Sequence, residues 1–190
     1  YEAILSGTFN DRPLNDAEIL GICYMLFVAG LDTVFSSLGW IMRYLAIDQN
    51  LQTRLRANPQ DTSAAVDEFT RAFGVSSPSR IVAQDFEFHG VPMKKGDDVI
   101  LPTYLAGRDP RAYENPHVID IDRKPRQVVT FGFGPHLCLG IHLAKRETKI
   151  VIDTFLKRTK NIRIPDGETF EYHTGGVIGI DRLPLEWDPV

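Results

Sequence analysis

The longest apolar stretch of the chain is residues 19–46, and a helix-start signal stands directly before it. Asn15 or Asp16 can serve as the N-cap, because a short polar side chain there accepts a hydrogen bond from an amide of the first turn. Glu18 would lie in that first turn, where an acidic side chain is favourable. The pattern therefore predicts one long helix.

Charged residues limit what this helix can be. Asp32 ends the uncharged run after 13 residues, and Arg43 interrupts the stretch again. A membrane-spanning helix needs about 20 consecutive, predominantly apolar residues. We therefore expect a buried core helix and no membrane span.

Two later segments show different periods. Residues 62–73 fit a second helix, and residues 79–101 change to a period of two. This second period predicts short strands at 80–83, 86–91 and 99–101, with turn signals at 89–90 and 95–97.

The C-terminal part predicts a third helix and a final hairpin. The apolar side chains at helical spacing after Cys138 are Leu139, Leu143, Ile150, Val151 and Phe155. The last apolar segment, residues 183–189, indicates a β-hairpin that closes over the core. The predicted fold class is mainly α with small β-sheets (α+β), in one domain without an internal boundary.

Composition narrows the class of protein. A chain of 190 residues with 43% hydrophobic content can bury a core. The net charge of −4 argues against general binding to nucleic acid or to a membrane surface. The two cysteines are far apart and no signal peptide precedes them, so we expect a reduced, cytoplasmic protein without a disulfide framework.

Cys138 lies between a Gly/Pro-rich loop and the third predicted helix, in the segment 131–144, Phe-Gly-Phe-Gly-Pro-His-Leu-Cys-Leu-Gly-Ile-His-Leu-Ala. Glycine lets backbone amides approach a bulky ligand. The helix dipole and the free amides at a helix N-terminus favour the thiolate form of a sulfur placed there. A thiolate in apolar surroundings is suited to be the axial ligand of a heme iron.

Three other interpretations use the same residues. Cys138 could be a buried small hydrophobe, as most free cysteines are. A zinc site could join Cys138 to His136 and His142, but Cys23 lies in a separate apolar segment and no Cys-x-x-Cys pair exists. A dinucleotide loop is rejected because Leu137 stands where the third glycine of G-x-G-x-x-G belongs.

The loop has the pattern F-x-x-G-x-H-x-C-x-G-x-x-x-A, which resembles the heme-binding loop of the cytochromes P450. The fixed positions are occupied by Phe131, Gly134, His136, Cys138, Gly140 and Ala144. Segments 88–91, 94–97 and 183–189 also resemble the bacterial camphor monooxygenases of that family. The resemblance spans the whole chain but only the C-terminal half of the family's fold. It implies that residues 1–190 are a partial domain whose N-terminal half is absent.

The resemblance implies heme b (iron protoporphyrin IX), with Cys138 as the axial ligand of its iron. Arg80 and His136 would donate hydrogen bonds to the two propionates, since buried carboxylates need charge-assisted donors. Alternatively, Arg80 is only a base at a strand edge. The other heme contacts that the resemblance implies are Phe131, Gly132, Gly140, Ala144 and Ala29.

The long helix contains Ala29-Gly30-Leu31-Asp32-Thr33, which breaks local rules for a core helix. Glycine costs about 1 kcal/mol inside a helix, and a buried acid must find a partner. The segment resembles the family's distal helix, which implies that Thr33 hydrogen-bonds to dioxygen or its water and that Asp32 relays protons. In the alternative, Thr33 bonds back to the carbonyl of Ala29 and Asp32 pairs with a surface base.

The second predicted helix contains Glu68-Phe69-Thr70-Arg71, whose i, i+3 spacing places acid and guanidinium on one face. A lone E-x-x-R pair is usually a solvated surface bridge. The resemblance instead implies a buried network of Glu68, Arg71 and a later arginine, for which Arg123 is the candidate. Its implied role is structural, namely to hold the cysteine loop.

The implied activity is that of a heme-thiolate monooxygenase, which inserts one oxygen atom of O2 into a C–H bond of a small hydrophobic substrate such as a terpenoid. Val28, Ser76 and Ile178 occupy positions where the family places pocket residues. Residues 74–79 differ from the camphor enzyme's pattern, which argues against camphor itself. The competing class is a heme-binding sensor or electron carrier without catalysis, or an inactive fragment without heme.

The implied partners are a [2Fe–2S] ferredoxin and its NADH-dependent reductase, and we expect a monomer. An acidic ferredoxin would dock over a small basic surface next to the cysteine. Lys145 and Arg146, and less so Arg126, are candidates for that surface, although Lys145 and Arg146 could equally be ordinary surface residues of a helix.

Overall fold

The structure is a computed structural model that describes residues 2–124 and 128–190. Its helices are α1 (Glu2–Leu5), α2 (Asp16–Ile47), α3 (Gln49–Ala57), α4 (Thr62–Ala72), α5 (Thr103–Ala106) and α6 (Ile141–Arg158). Its strands are β1 (Thr8–Phe9), β2 (Arg12–Pro13), β3 (Ser79–Ile81), β4 (Phe86–Phe88), β5 (Val91–Met93), β6 (Asp98–Ile100), β7 (Thr159–Arg163), β8 (Glu171–His173), β9 (Gly179–Arg182) and β10 (Glu186–Pro189). This mixture of helices and small sheets confirms the predicted fold class.

Helix α2 begins at the predicted position because side chains next to its first turn cap it. Asn15 Oδ1 accepts a hydrogen bond from the Glu18 amide at 3.0 Å, and Glu18 Oε2 accepts one from the Asn15 amide at 2.9 Å. Arg12 donates to both carboxylate oxygens of Glu18, at 2.8 and 2.6 Å. The bonds from Arg12, followed by the one from the Asn15 amide, lower the pKa of Glu18 to about 2.

Only four of the 32 residues of α2 are buried, which contradicts the expectation of a buried core helix. Its buried residues all lie in its C-terminal part and are Ser36, Ile41, Leu45 and Ala46. An outer stripe of exposed apolar side chains precedes them and comprises Leu20, Tyr24, Phe27, Leu31 and Phe35. An apolar pattern shows which face can be buried, but only the packed structure shows what covers it.

Helix α2 also has the length and composition of a membrane span, with a mean hydropathy of 1.9 in its most apolar 18-residue window. The charges of Asp32 and Arg43 therefore do not by themselves exclude a span. Core helices of soluble proteins have the same property, and only 6% of this window is buried in the chain as described.

The hydrophobic core lies where the end of α2 meets α3, α4, α6 and β7. Its buried members include Ile41, Leu45, Leu51, Leu55, Ala65, Val66, Phe69, Ile152, Leu156 and Ile162. Gln52 of α3 is buried among them: its Nε2 donates to the carbonyls of Leu45 at 2.6 Å and Ile162 at 2.7 Å. Its Oε1 accepts from the Ile162 amide at 3.1 Å. Because every polar group of Gln52 has a partner, it joins α3 to β7 without an unpaired buried atom.

The described strands form five antiparallel pairs: β1–β2, β3–β6, β4–β5, β8–β9 and β7–β10. The β4–β5 turn is His89-Gly90, as predicted, and both residues have positive φ, 50° and 81°. Positive φ at both central residues matches the turn that a two-residue hairpin requires.

The predicted terminal hairpin is present, but residues 183–189 are not its strands. Strand β10 pairs instead with β7, so that Glu186 lies opposite Arg163 and Pro189 lies opposite Thr159. The last hairpin is β8–β9. Pro184 has no amide N–H to donate to a neighbouring strand. The strand that pairs with β10 is β7, which precedes β8 and β9 in the chain.

Helix α6 forms where the sequence predicts it. Its buried residues are Thr148, Ile152 and Leu156, which face α3 and α4. Leu143 and Ile150, which belong to the spacing that predicts this helix, remain exposed.

Candidate functional site

The loop before α6 folds back on itself and presents Cys138 at the surface. The Cys138 amide donates to the carbonyl of Phe131 at 2.8 Å, and the Leu137 amide donates to that of Gly134 at 3.0 Å. Gly132 has φ +81°, and a Cβ added there would lie 2.6 Å from the carbonyl oxygen of His136. The turn therefore requires glycine at position 132. The thiol of Cys138 is exposed.

Cys138 lies at the beginning of α6. Gly140 is the N-cap of this helix, and no side chain caps the first turn. A Cβ on Gly140 would lie 3.8 Å from Cys138 Sγ, so the sulfur is next to the first turn. The Ala144 amide donates to the Gly140 carbonyl at 2.9 Å, which starts the helical ladder. The positive end of the α6 dipole thus lies beside the sulfur.

The surroundings of Cys138 fit a large planar apolar cofactor with an iron centre. The exposed apolar side chains next to it in the chain are Phe133, Leu137, Leu139 and Leu143. Several large apolar side chains that are exposed close together in the sequence are typical of a binding surface. Within residues 2–124 and 128–190, no three His, Cys, Asp or Glu side chains lie together as ligands for a bare metal ion. A single thiolate suffices for heme, because the macrocycle provides the equatorial ligands of the iron.

Helix α4 supports this loop directly. Thr130 Oγ1 donates to the carbonyl of Thr70 at 2.9 Å. Thr70 lies between Glu68 and Arg71, so the helix that contains E-x-x-R also fixes the start of the loop. This contact was not predicted, because a threonine in a loop gives no sequence signal of its partner.

Glu68 and Arg71 form a buried ion pair. Arg71 Nε donates to Glu68 Oε2 at 2.8 Å, and a terminal guanidinium nitrogen donates to Oε1 at 2.7 Å. Arg71 is 1% exposed and Glu68 is 5% exposed, so the pair is not a solvated surface bridge. Arg123 Nε lies 3.1 Å from Glu68 Oε1, which places all three predicted residues in one network.

The rest of the network consists of backbone carbonyls from the coil between α5 and the cysteine loop. Arg71 donates to the carbonyls of Gly107 at 2.6 Å, Pro116 at 2.9 Å and Val118 at 3.2 Å. A Cβ at Gly107 would lie 1.8 Å from the Arg71 carbonyl oxygen, so only glycine fits there. The coil is therefore wrapped around the guanidinium.

The same contacts control the ionisation of Glu68. Burial on its own would raise the pKa of Glu68. Hydrogen bonds from Arg71, from the Asp120 amide and from Arg123 outweigh this and lower the pKa below its usual range. Glu68 is therefore a carboxylate at neutral pH.

On α2, Thr33 Oγ1 donates to the carbonyl of Ala29 at 2.6 Å. This is the bond that the alternative interpretation of Thr33 predicts. Asp32 is exposed, and none of the described ion pairs includes it, so its expected surface base is not found in the described part of the chain. Ala29 and Val28 are also exposed on this helix.

Arg80 and His136, the predicted propionate donors, are both exposed. Arg80 lies on β3, where a terminal nitrogen donates to the Ser79 carbonyl at 2.6 Å. His136 ends the short 3-10 turn Gly134–His136. Within the described residues neither side chain forms an ion pair, so both can donate to an anion from outside the chain.

Ser76 and Ile178, predicted as pocket residues, lie on adjacent segments. Ser76 forms a β-bridge with Val177, and the Ile178 amide donates to the carbonyl of Val75 at 2.8 Å. The structure thus joins the segment after α4 to the tip of the β8–β9 hairpin.

The candidate docking surface is only partly available. Lys145 Nζ pairs with Asp67 at 2.8 Å, whereas Arg146 is exposed. Arg126 lies outside the described residues.

Comparisons with known proteins agree on one family. Residues 60–170 match the sequence profile described as Cytochrome P450. The chain is 39% identical, over 184 residues, to the probable cytochrome P450 127A1 of Sinorhizobium fredii, covering 97% of this chain and 44% of that protein. The crystal structure of CYP101J2 matches 97% of this chain and 47% of its own chain, with 39% identity and a TM-score of 0.91. The crystal structure of cytochrome P450 CYP101C1 matches with 31% identity, a TM-score of 0.93 and coverages of 97% and 48%.

Proposed function

This chain belongs to the cytochrome P450 family, and we propose that it provides the heme-binding part of a heme-thiolate monooxygenase. The family's cofactor is heme b. The chain spans about half the length of the curated relatives that it matches, so the activity belongs to a fold larger than the residues described. The main supporting observation is the exposed thiol of Cys138 beside the uncapped start of α6, among exposed apolar side chains.

When bound, heme with a thiolate ligand supplies the chemistry that activates O2 by cleaving the O–O bond. Cys138 would hold the iron, and its apolar neighbours would exclude water from the macrocycle. Arg80 and His136 would donate hydrogen bonds to the two propionates. The remaining contacts would come from Phe131, Gly132, Gly140, Ala144 and Ala29.

Proton delivery would depend on Thr33 and Asp32. The single hydroxyl proton of Thr33 is donated to the Ala29 carbonyl, so its oxygen can accept a hydrogen bond from a ligand in the pocket. Asp32 is exposed and can exchange a proton with solvent. Together they would form a general-acid route from solvent to the distal face.

We infer a small hydrophobic substrate such as a terpenoid, in contact with Val28, Ser76 and Ile178. Electrons would come from NADH through a ferredoxin that docks near Arg146. We also propose that the protein is a cytoplasmic monomer. Glu68, Arg71 and Arg123 would not take part in the chemistry, because they are packed under the coil that leads to the cysteine loop.

The test is the absorbance spectrum of the reduced, heme-loaded protein with carbon monoxide. Thiolate ligation should give a band at about 450 nm, which Cys138→Ala should abolish. Cys23→Ala is the matched control, because Cys23 lies on α2, and it should leave the band unchanged. A band that survives Cys138→Ala would refute the assignment.

The alternative, a heme sensor or electron carrier, makes no use of Thr33 and Asp32. If the protein is a monooxygenase, Thr33→Ala should keep the 450 nm band and NADH consumption but divert reducing equivalents to peroxide. An unchanged product yield per NADH in this variant would contradict the proton-delivery role, and the absence of any hydroxylated product from the parent would favour the sensor or carrier.

A further inference from the structure

Trp40 joins α2 to the β8–β9 hairpin. Its indole Nε1 donates a hydrogen bond to the carbonyl oxygen of Ile178 at 3.0 Å. Its ring packs edge-on against Phe170 and Tyr172, with centroid separations of 5.9 and 6.0 Å. A tryptophan with a packed ring and a bonded N–H has a fixed orientation, because both ends of the side chain are constrained.

Ile178 is therefore held from two sides. Its carbonyl accepts from Trp40, and its amide donates to the carbonyl of Val75 at 2.8 Å. The neighbouring Ser77 amide donates to the Gly176 carbonyl at 2.8 Å, which extends the same bridge. The hairpin tip is thus fixed both to α2 and to the segment after α4.

The contact between α2 and β9 leaves little room for adjustment. Gly39 precedes Trp40, and a Cβ added to it would lie 3.2 Å from the Cβ of Ile180. A side chain at residue 39 would require the helix or Ile180 to shift by a few tenths of an ångström. If the bond from Trp40 were lost, the hairpin could not recover it by moving closer to the helix.

We propose that Trp40 is a positioning residue for the substrate, since it sets the distance between α2 and the pocket wall formed by Ser76 and Ile178. The inference rests on the proposed function, because a substrate pocket exists only with heme bound to Cys138. A displacement of the wall weakens contacts with any ligand large enough to reach it, and leaves the iron itself unaffected.

The experiment compares two probes in the ferric, heme-loaded protein, each titrated by the shift of the Soret band. Imidazole reports on the iron alone, whereas the phenyl ring of 4-phenylimidazole would extend into the proposed substrate pocket. Trp40→Phe keeps an aromatic ring but removes the N–H donor. It should weaken the binding of 4-phenylimidazole by about threefold to tenfold, because the free energy of the one hydrogen bond that holds the wall sets the upper limit, and change the binding of imidazole by less than about twofold.

Trp187→Phe is the matched control. Trp187 lies on β10 and packs against Phe155 at 5.4 Å, so this variant should change neither affinity. If the Trp40→Phe variant does not retain heme, the Gly39→Ala variant is measured in its place. Its added methyl group should push the hairpin away from α2 and change the ratio of the affinities for 4-phenylimidazole and imidazole in the same direction.

The outcomes separate this inference from the proposed function. A parent protein without the 450 nm band would overturn both. A parent with the band, together with an unchanged ratio of the two affinities in Trp40→Phe, would overturn only the positioning role. In the chain itself, the Trp40 indole N–H should also exchange with solvent more slowly than that of Trp187, and equal rates would contradict the anchor.

Discussion

Replacing Arg71 with leucine should destabilise the chain by about 3–5 kcal/mol, the usual cost of breaking a buried ion pair on one side. The side chain is 2% exposed and donates five hydrogen bonds, two to Glu68 and three to backbone carbonyls. After the change, Glu68 keeps only Arg123 and the Asp120 amide. Each backbone carbonyl that is left without a donor raises the loss of folding free energy by about 1–3 kcal/mol. Burial of the leucine side chain offsets part of this loss.

Urea unfolding followed by circular dichroism measures this cost. With a slope of about 2 kcal/mol per molar urea, the midpoint should fall by roughly 2 M. Arg54→Leu is the control, because Arg54 also donates two bonds to one carboxylate of the same coil, Asp122, at 2.7 and 2.6 Å.

The Arg54 pair differs in exposure, since its side chains are 40% and 69% exposed. Solvent screening should therefore make Arg54→Leu clearly less costly than Arg71→Leu. If Arg71→Leu proved no more costly than Arg54→Leu, the argument that burial gives the Glu68 network its importance would be wrong.

Three further predictions concern single side chains. The folded-state pKa of Glu68 is lowered, so the unfolded chain binds more protons near that pKa. Stability should be full above about pH 5 and fall as the pH drops through the folded-state pKa, and the urea-stability profile of Glu68→Gln should be flatter below about pH 5. A profile as steep in Glu68→Gln as in the parent would contradict the role of this carboxylate. Gly179→Ala would place a Cβ 2.5 Å from the His173 ring and 2.8 Å from Ser36 Oγ, and it should destabilise the chain by about 1–3 kcal/mol. Gly176→Ala is the control, because a Cβ on Gly176 meets nothing within 4 Å, and it should cost under about 0.5 kcal/mol. Equal unfolding midpoints for the two variants would count against close packing at the hairpin. Asn15→Ala removes one half of the capping box and should cost about 1 kcal/mol, seen as faster amide exchange at Glu18.

Several features were predictable from short segments. The start of α2 depends on Asn15 and Glu18, which are three residues apart and cap each other. The His89-Gly90 turn follows from the positive φ that these residues tolerate. The E-x-x-R pair needs only one helical turn to bring Glu68 and Arg71 together. In each case the hydrogen bonds close within a few residues, so the local sequence contains both partners.

Other features required the folded chain. The three carbonyls around Arg71 come from a coil more than thirty residues away, at Gly107, Pro116 and Val118, and no side-chain pattern identifies them. The need for glycine at 107 is likewise visible only from the 1.8 Å approach to the Arg71 carbonyl. The pairing of β10 with β7 also joins two segments between which β8 and β9 lie in the chain.

The family and the candidate iron ligand can be read from the sequence alone, because the glycines, His136 and Cys138 form a pattern within one loop. The tertiary fold sets which surfaces are buried. It placed Glu68 and Arg71 inside and left the apolar stripe of α2 from Leu20 to Phe35 exposed. The physical reason is that periodicity specifies which side of a helix is apolar, whereas burial depends on contacts with elements distant in the chain.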